Sequence, residues 1–412
     1  MAVSDVTDWL RDNARTGVFW YAKRLSANDT LANNTHQAGP YIPKDFLFRV
    51  LPALNRPSTL NPDASCELHI DSHGDRRSVR AIWYNNALHP HTRANPTTAG
   101  RNETRVTNFG GRASPLLDPE STGALVVFCF WRGSVDDTPL CRVWVCRSAV
   151  EEALVEDWLG DVEPGFFRYW GVDQNELPDR VVPAPKSCAL SKTELPPAWL
   201  NAFPTGDEIV QAVLARRPAK RGQSSDDRLV SRRDCEFELF KSVEQAIELP
   251  AILRGFETLD GFLSRAQTIL QRRKARAGRS LELHTRQLFL EAGLVEGTHF
   301  QSQPESERGK RPDFLFPSQA AYKDPTFPAD KLRLLAVKTT CRDRWRQVIN
   351  EADRVKVKHL LTLQEGVSEA QFKEMQDANV RLVVPARLQK SYPASVRGSL
   401  TSVEEFLATC AA

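Results

Sequence analysis

Long apolar runs are missing from this 412-residue sequence. No stretch approaches the ~20 residues that a membrane-spanning helix needs, so a helical membrane protein is excluded. The opening residues, MAVSDVTDWLRDN, lack the charged-then-apolar form of a secretory signal. Eight cysteines are scattered without paired CxxC spacing. Neither a disulfide framework nor a cysteine zinc site is therefore expected. Cys141 and Cys146, flanking the strand-like RVWV, read as core filler. An excess of one charge is absent too, since 55 Lys and Arg against 52 Asp and Glu leave a net charge of +3. Such a chain is not a polycation, and affinity for a nucleic acid has to come from local basic surfaces. No internal repeat is evident. Together these features predict a reduced, soluble, cytoplasmic protein.

What is present divides near the middle. Up to about residue 172, short apolar runs alternate with turn-rich polar stretches, and ALVVFCFW (124–131) and CRVWVC (141–146) read as strands. Pro90 to Gly111 is a long polar segment. These features predict a mostly β domain with extended arms. Residues 173–198 are Pro-rich and irregular, as an interdomain linker is. Residues 199–412 follow with helical material and then alternating elements: a helix from Leu281, strands at 313–316 and 332–338, a helix over 344–357, a strand at 359–363, a helix over 368–377 and a strand at 380–384. A mixed α/β sheet flanked by helices is predicted. Length alone permits two domains, each with its own core.

The most informative stretch runs from Arg311 to Asp353. Asp313 follows a Pro at the head of the apolar run Phe314, Leu315, Phe316, and Lys338 closes a second run, Leu334 to Val337, 25 residues later. A carboxylate and an ammonium at neighbouring strand ends suit a metal-dependent phosphodiesterase: the acid holds a divalent cation, and the Lys orients water and steadies phosphate charge. Many nucleases carry this as PD…(D/E)xK. Here Ala336 stands two before the Lys, where a second acid belongs. Glu351, 13 residues beyond Lys338, sits at the margin of a helical-period stripe of Trp345, Val348, Ile349, Ala352 and Val355. A helix packed by that stripe would aim Glu351 along the sheet edge. Two basic clusters, Arg272–Arg273–Lys274–Arg276–Arg279 and Arg216–Arg217–Lys220–Arg221, are either solvated faces or phosphate contacts. Adjacency to the acidic site favours phosphate for the first. Arg342, Asp343 and Arg344 suit guanine and cytosine edges, and equally suit an ordinary helix start.

SLELH (280–284), RPDFLFPSQAAY (311–322), AVKTTCRDRWRQ (336–347), NEAD (350–353), LLTLQEGVS (360–368) and VRLVVP (380–385), with YAKRLSANDT (21–30) and SPLLDPESTGAL (114–125), resemble the EcoRII family of type II (IIE) restriction endonucleases. The blocks run in family order from about residue 20 to 400. The resemblance implies a B3-like β pseudobarrel that binds an effector copy of the recognition sequence. It implies a PD-(D/E)xK core beyond it, and a bacterial homodimer that uses Mg2+ to cut double-stranded DNA. The cut would fall at a CCWGG or CCNGG type of site and leave 5′-phosphate ends. A cytosine methyltransferase would be its genetic partner.

In the family's wider group the second acid is displaced to a helix. The resemblance thus assigns Asp313 and Glu351 to the metal, Lys338 to the water, Glu282 as an additional acid, and Tyr322 to a polar position near phosphate. It places base reading at Arg342, Asp343 and Arg344, and an expelled base between Arg233 and Phe237, where the family has Arg and Tyr. Phe retains stacking but lacks the hydroxyl. Effector contacts fall on Lys23, His36, Arg101, Asn102, Glu103, Arg105 and Asp118. Ala99 and Thr104 replace family lysines, and the preceding HPHTRANP is longer. A structure-selective repair nuclease on the same core, or a non-catalytic DNA-binding regulator, are the alternatives. Neither explains Asp313, Lys338, Glu351 and a sequence-reading arm together.

Overall fold

Val18–Arg24 (β1) and Leu125–Trp131 (β5) are apolar at nearly every position because both faces of their sheet are covered. Phe19 and Tyr21 join Val126, Phe128 and Phe130 on one face, while Val18, Trp20 and Ala22 join Leu125, Val127 and Cys129 on the other. The computed structural model describes residues 5–33, 39–89, 100–131, 139–171 and 188–411. These fall into two compact units, one built chiefly from the chain before residue 182 and one chiefly from the chain after it.

The first unit holds a seven-stranded sheet. Its other strands are Asp63–Ile70 (β2), Asp75–Tyr84 (β3), Glu103–Thr107 (β4), Leu140–Val145 (β6) and Phe167–Gly171 (β7), in the order β4-β3-β2-β6-β5-β1-β7. All pairings are antiparallel except β2 with β6. Helices Val6–Asn13 (α1) and Ala149–Leu159 (α3) cover one face with Trp9, Leu10 and Val155. Helix Lys44–Val50 (α2) covers the other with Phe46 and Leu47. Buried Arg24 on β1 reaches Glu152 and Glu156 of α3, each at 2.7 Å. Cys141 and Cys146 are buried on opposite faces, as core filler should be.

The second unit is α/β. Pro197–Asn201 (α4) and Gly206–Arg216 (α5) pack on the long helices Ser225–Arg254 (α6) and Leu259–Glu291 (α7). The described part of the Pro-rich segment is not loose: Cys188, Leu195 and Trp199 share a core with Leu239 and Phe240 of α6. Cys188 is disulfide-bonded to Cys235, which departs from the expectation of wholly reduced cysteines. The remaining strands are Gln301–Ser302 (β8), Phe314–Phe316 (β9), Arg333–Val337 (β10), Lys358–Leu361 (β11) and Val380–Val383 (β12). They form a sheet in the order β12-β11-β10-β9-β8, parallel across β10, β11 and β12 and antiparallel at β9 and β8. Leu281, Leu288 and Phe289 of α7 pack on Phe314, Phe316, Leu335 and Val337, together with Phe406 of the helix Val403–Ala411.

Three sequence expectations need correction. Helix α7 begins at Leu259, well before Leu281, and ends at Glu291. After the short helix Gln319–Lys323 (α8), the predicted helix over 344–357 is also a short one, Trp345–Ile349 (α9). Trp345, Val348, Ala352 and Val355 are buried as the stripe requires, but Ile349 is not. The helix stops because Ala352 takes a left-handed φ of 48° and the ammonium of Lys358 occupies the carbonyls of Glu351 and Ala352. The third correction concerns the basic cluster before Glu282. Arg272 pairs with Glu248, Arg273 with Glu244, Arg276 with Glu236 and Arg279 with Glu282, at 2.5–2.8 Å. Three of those acids lie on α6, so much of the cluster's charge ties the two helices together. Among the described residues no helix is long and apolar enough to cross a membrane.

Candidate active site

The antiparallel pairing of β9 with β10 brings the start of one strand beside the end of the other. Asp313, just before β9, therefore lies next to Lys338, just after β10. Its Oδ2 accepts from the backbone N–H of Val337 at 2.7 Å and from Lys338 Nζ at 3.3 Å. The carboxylate is buried and aimed by the neighbouring strand, which fixes it before any ligand arrives.

Two further acids feel the Asp313 charge. Glu351 lies in the turn after α9, and burial together with Asp313 pushes its carboxyl up to about 7, against the pull of Lys338 and Lys358. Its Oε2 is buried without a hydrogen-bond partner. Glu282 on α7 is raised by the same two causes, burial first. It accepts from Arg279 at 2.5 Å and from Gln303 Nε2 at 2.8 Å. Gln303 also donates its backbone N–H to the Asp313 carbonyl at 2.9 Å, from a left-handed φ of 47°. The structure thus gathers Asp313, Lys338, Glu351 and Glu282, and adds Gln303, for which no sequence signal existed.

The residues suit a hard divalent cation. An orphaned carboxylate oxygen beside a second carboxylate is repulsion that such an ion relieves, and Mg2+ is commonly held by one or two carboxylates plus substrate phosphate. Among the described residues no three acidic, His or Cys side chains form a metal cluster by themselves.

Tyr322 sits differently. Its buried hydroxyl donates to Glu307 and accepts from the Arg354 backbone N–H at 3.2 Å, and burial with the Glu307 bond pushes it up to about 12. Glu307 also accepts from the Asp353 N–H at 3.0 Å. Tyr322, Glu307 and Lys358 thereby hold the turn that carries Glu351. Arg342, Asp343 and Arg344 lie half-buried at the start of α9, with Asp343 3.8 Å from Arg346. Arg233 and Phe237 are buried on α6. Arg233 donates to Glu236 at 2.9 Å and to Ser280, and the Arg276 guanidinium lies 5.1 Å from the Phe237 ring.

In the first unit, Arg101, Glu103 and Arg105 line a cleft of about 500 Å3, with Asp29, Tyr84 and Asn108 on its walls. Arg101 lies over Tyr84 at 5.7 Å, and Glu103 pairs with Arg105 at 3.1 Å. Lys23 is ion-paired to Asp29 at 2.6 Å. The Asn102 side-chain Oδ1 accepts from Trp83 Nε1 and Lys44 Nζ, and Asp118 caps the turn at Glu120. These last two are bound up in local structure. His36 lies outside the described residues.

The sequence is 41% identical to the type II restriction enzyme EcoRII of Escherichia coli over 99% of this chain and 98% of that protein. The chain belongs to the EcoRII family. The family's amino-terminal description, restriction endonuclease EcoRII N-terminal, matches residues 14–174, and its EcoRII C-terminal description matches residues 240–407. Metal-depleted Ecl18kI in complex with uncleaved, modified DNA is 18% identical, covering 51% of this chain and 78% of that one with a TM-score of 0.40. The B3 domain of the UbaLAI restriction endonuclease with cognate DNA is 17% identical, covering 40% and 97% with a TM-score of 0.27. As an EcoRII-family member the chain is a type II restriction endonuclease with the family's amino-terminal and carboxy-terminal domains.

Proposed function

We propose that this endonuclease hydrolyses double-stranded DNA at a CC-centre-GG sequence, leaves 5′-phosphate ends, uses Mg2+ and works as a homodimer. The observation that carries the chemistry is the half-buried Glu351 carboxylate, its Oε2 buried and unpartnered, held within the field of Asp313 and Lys338. Asp313 and Glu351 would hold the ion, which when bound neutralises phosphate charge and lowers the pKa of water. Lys338, tethered to Asp313, orients the attacking water and stabilises charge growing on the phosphate oxygens. Glu282, linked to Asp313 through Gln303, keeps the pocket electronegative and steers the cation. Tyr322 acts by supporting the Glu351 turn. Arg342, Asp343 and Arg344 read the G·C pairs beside the cut, and an expelled central base would stack on Phe237 once α6 and α7 yield around Arg233.

Arg101, Glu103 and Arg105 in the cleft of the first unit, with Lys23, His36, Asn102 and Asp118 around them, bind the effector copy of the site. Its occupancy relieves inhibition of the nuclease core. Incubation of the purified protein with a randomised plasmid library and Mg2+, followed by sequencing of the ends, tests the activity. Defined ends with a shared CC…GG flank are expected. Ends scattered over junctions or nicks would identify a structure-selective nuclease instead.

A further inference from the structure

The segment that joins the candidate catalytic Lys to the candidate base readers is pinned at nearly every step. Lys338 N–H donates to the Leu361 carbonyl at 2.9 Å. The Thr339 carbonyl accepts from Thr362 Oγ1 at 3.2 Å. The backbone N–H groups of Cys341 and Arg342 both donate to one atom, Gln364 Oε1, at 2.9 and 3.2 Å. Gln364 is 1% exposed and Thr362 fully buried, and the Gln364 N–H donates to Thr362 Oγ1 at 3.2 Å. Leu361, Thr362 and Gln364, at and just beyond the end of β11, therefore act as a template for residues 338–342. Each of these contacts uses a backbone group of residues 338–342 rather than a side chain.

We infer that Gln364 is the positioning residue for sequence recognition, its side-chain carbonyl holding the turn that presents Arg342, Asp343 and Arg344 to the bases. The inference rests on the base-reading role proposed for those three residues. A side-chain hydrogen bond to a base edge tolerates only a few tenths of an ångström before it weakens. Readers on a connecting segment meet that tolerance only if the backbone beneath them cannot shift. One buried acceptor satisfying two successive N–H groups does this. It also sets the spacing between the readers and Lys338, so that recognition and hydrolysis share one register. An apolar side chain in its place would deprive both donors of this acceptor, the Cys341 N–H in a buried setting, and the turn would move to find water.

The test uses the full-length protein, a plasmid library randomised around the site, Mg2+ and sequencing of the ends. Gln364→Met, which has nearly the same volume without the acceptor, should relax the recovered motif. The ratio of cutting at the best site to cutting at one-base variants should fall about tenfold or more. Gln364→Glu keeps an acceptor oxygen in place and should retain the motif. Should Gln364→Met fail to fold, Gln364→Asn withdraws the same carbonyl by one methylene and should relax the motif likewise. Slow amide exchange at Cys341 and Arg342 in the unaltered protein is expected alongside. A motif unchanged in the Met and Asn variants, with cutting slowed equally on all sequences, would overturn the inference, as would a Glu variant as relaxed as Met. Arg344→Ala is the control for the underlying reading. If its motif is unchanged, the base-reading role itself fails and the inference falls with it.

Discussion

At the residue scale the chemistry depends on a few groups whose environments differ from water. Asp313, Lys338 and Glu351 changed singly to Ala should each keep specific DNA binding, measured by mobility shift without a divalent ion. Each should lose at least about a hundredfold in cleavage rate, the usual effect of removing one such group. Near-normal cleavage by Glu351→Ala would move the second acid elsewhere, with Glu282 the next carboxylate in reach of Asp313. The proposed base reading is tested apart from the chemistry at Arg344. Arg344→Ala should lower discrimination against a one-base variant by about 1–3 kcal/mol, read as a ratio of kcat/KM values. An equal loss on every sequence would make Arg344 a phosphate contact.

At the scale of elements, the second unit depends on buried acids that serve backbone groups. Asp226, 1% exposed in the first turn of α6, accepts from the N–H groups of Ala386 and Val403 through Oδ1, each at 2.9 Å, and from Glu404 through Oδ2 at 3.0 Å. Glu404 in turn accepts from the Ser225 N–H at 2.7 Å. Asp226→Ala leaves three donors short of an acceptor, and at about 1–3 kcal/mol for each buried group it should destabilise the unit by roughly 3–5 kcal/mol in urea titration. A change below 1 kcal/mol would show that water replaces the carboxylate. The sequence showed no sign of this role, since an Asp in a helix's first turn reads as an ordinary dipole partner.

At the scale of the whole molecule, the two units permit regulation of one by the other. Because Cys188, Leu195 and Trp199 belong to the core of the second unit, a nuclease fragment should begin at about residue 186, ahead of them. If effector binding relieves inhibition, that fragment should cut single-site DNA faster than the full chain. Arg101→Ala and Arg105→Ala in the full chain should cut it more slowly, because they weaken the ligand that favours the active form. A folded fragment slower than the intact protein would make the amino-terminal domain a plain affinity module.

Local chemistry in the sequence sufficed for β5 and β6 of the first sheet and β9 to β12 of the second, the pairing of Asp313 with Lys338, and the absence of an acid at Ala336. Apolar runs and strand-end residues carry their meaning within a few positions. The sequence also marked Trp345, Val348, Ala352 and Val355 as inward-facing, but the helix drawn through them was too long. Lys358, Tyr322 and Glu307 decide where that backbone turns, and they arrive from other elements. The same holds for Gln303 beneath Glu282 and for Gln364 beneath Arg342. Lys358, Glu307 and Gln364 hold backbone groups, which every residue possesses, and Gln303 meets Glu282 across distant elements, so no residue type at any spacing could announce them. Only the folded chain decides which amide lies opposite which side chain, because that depends on sheet register and on the packing of helices distant in sequence.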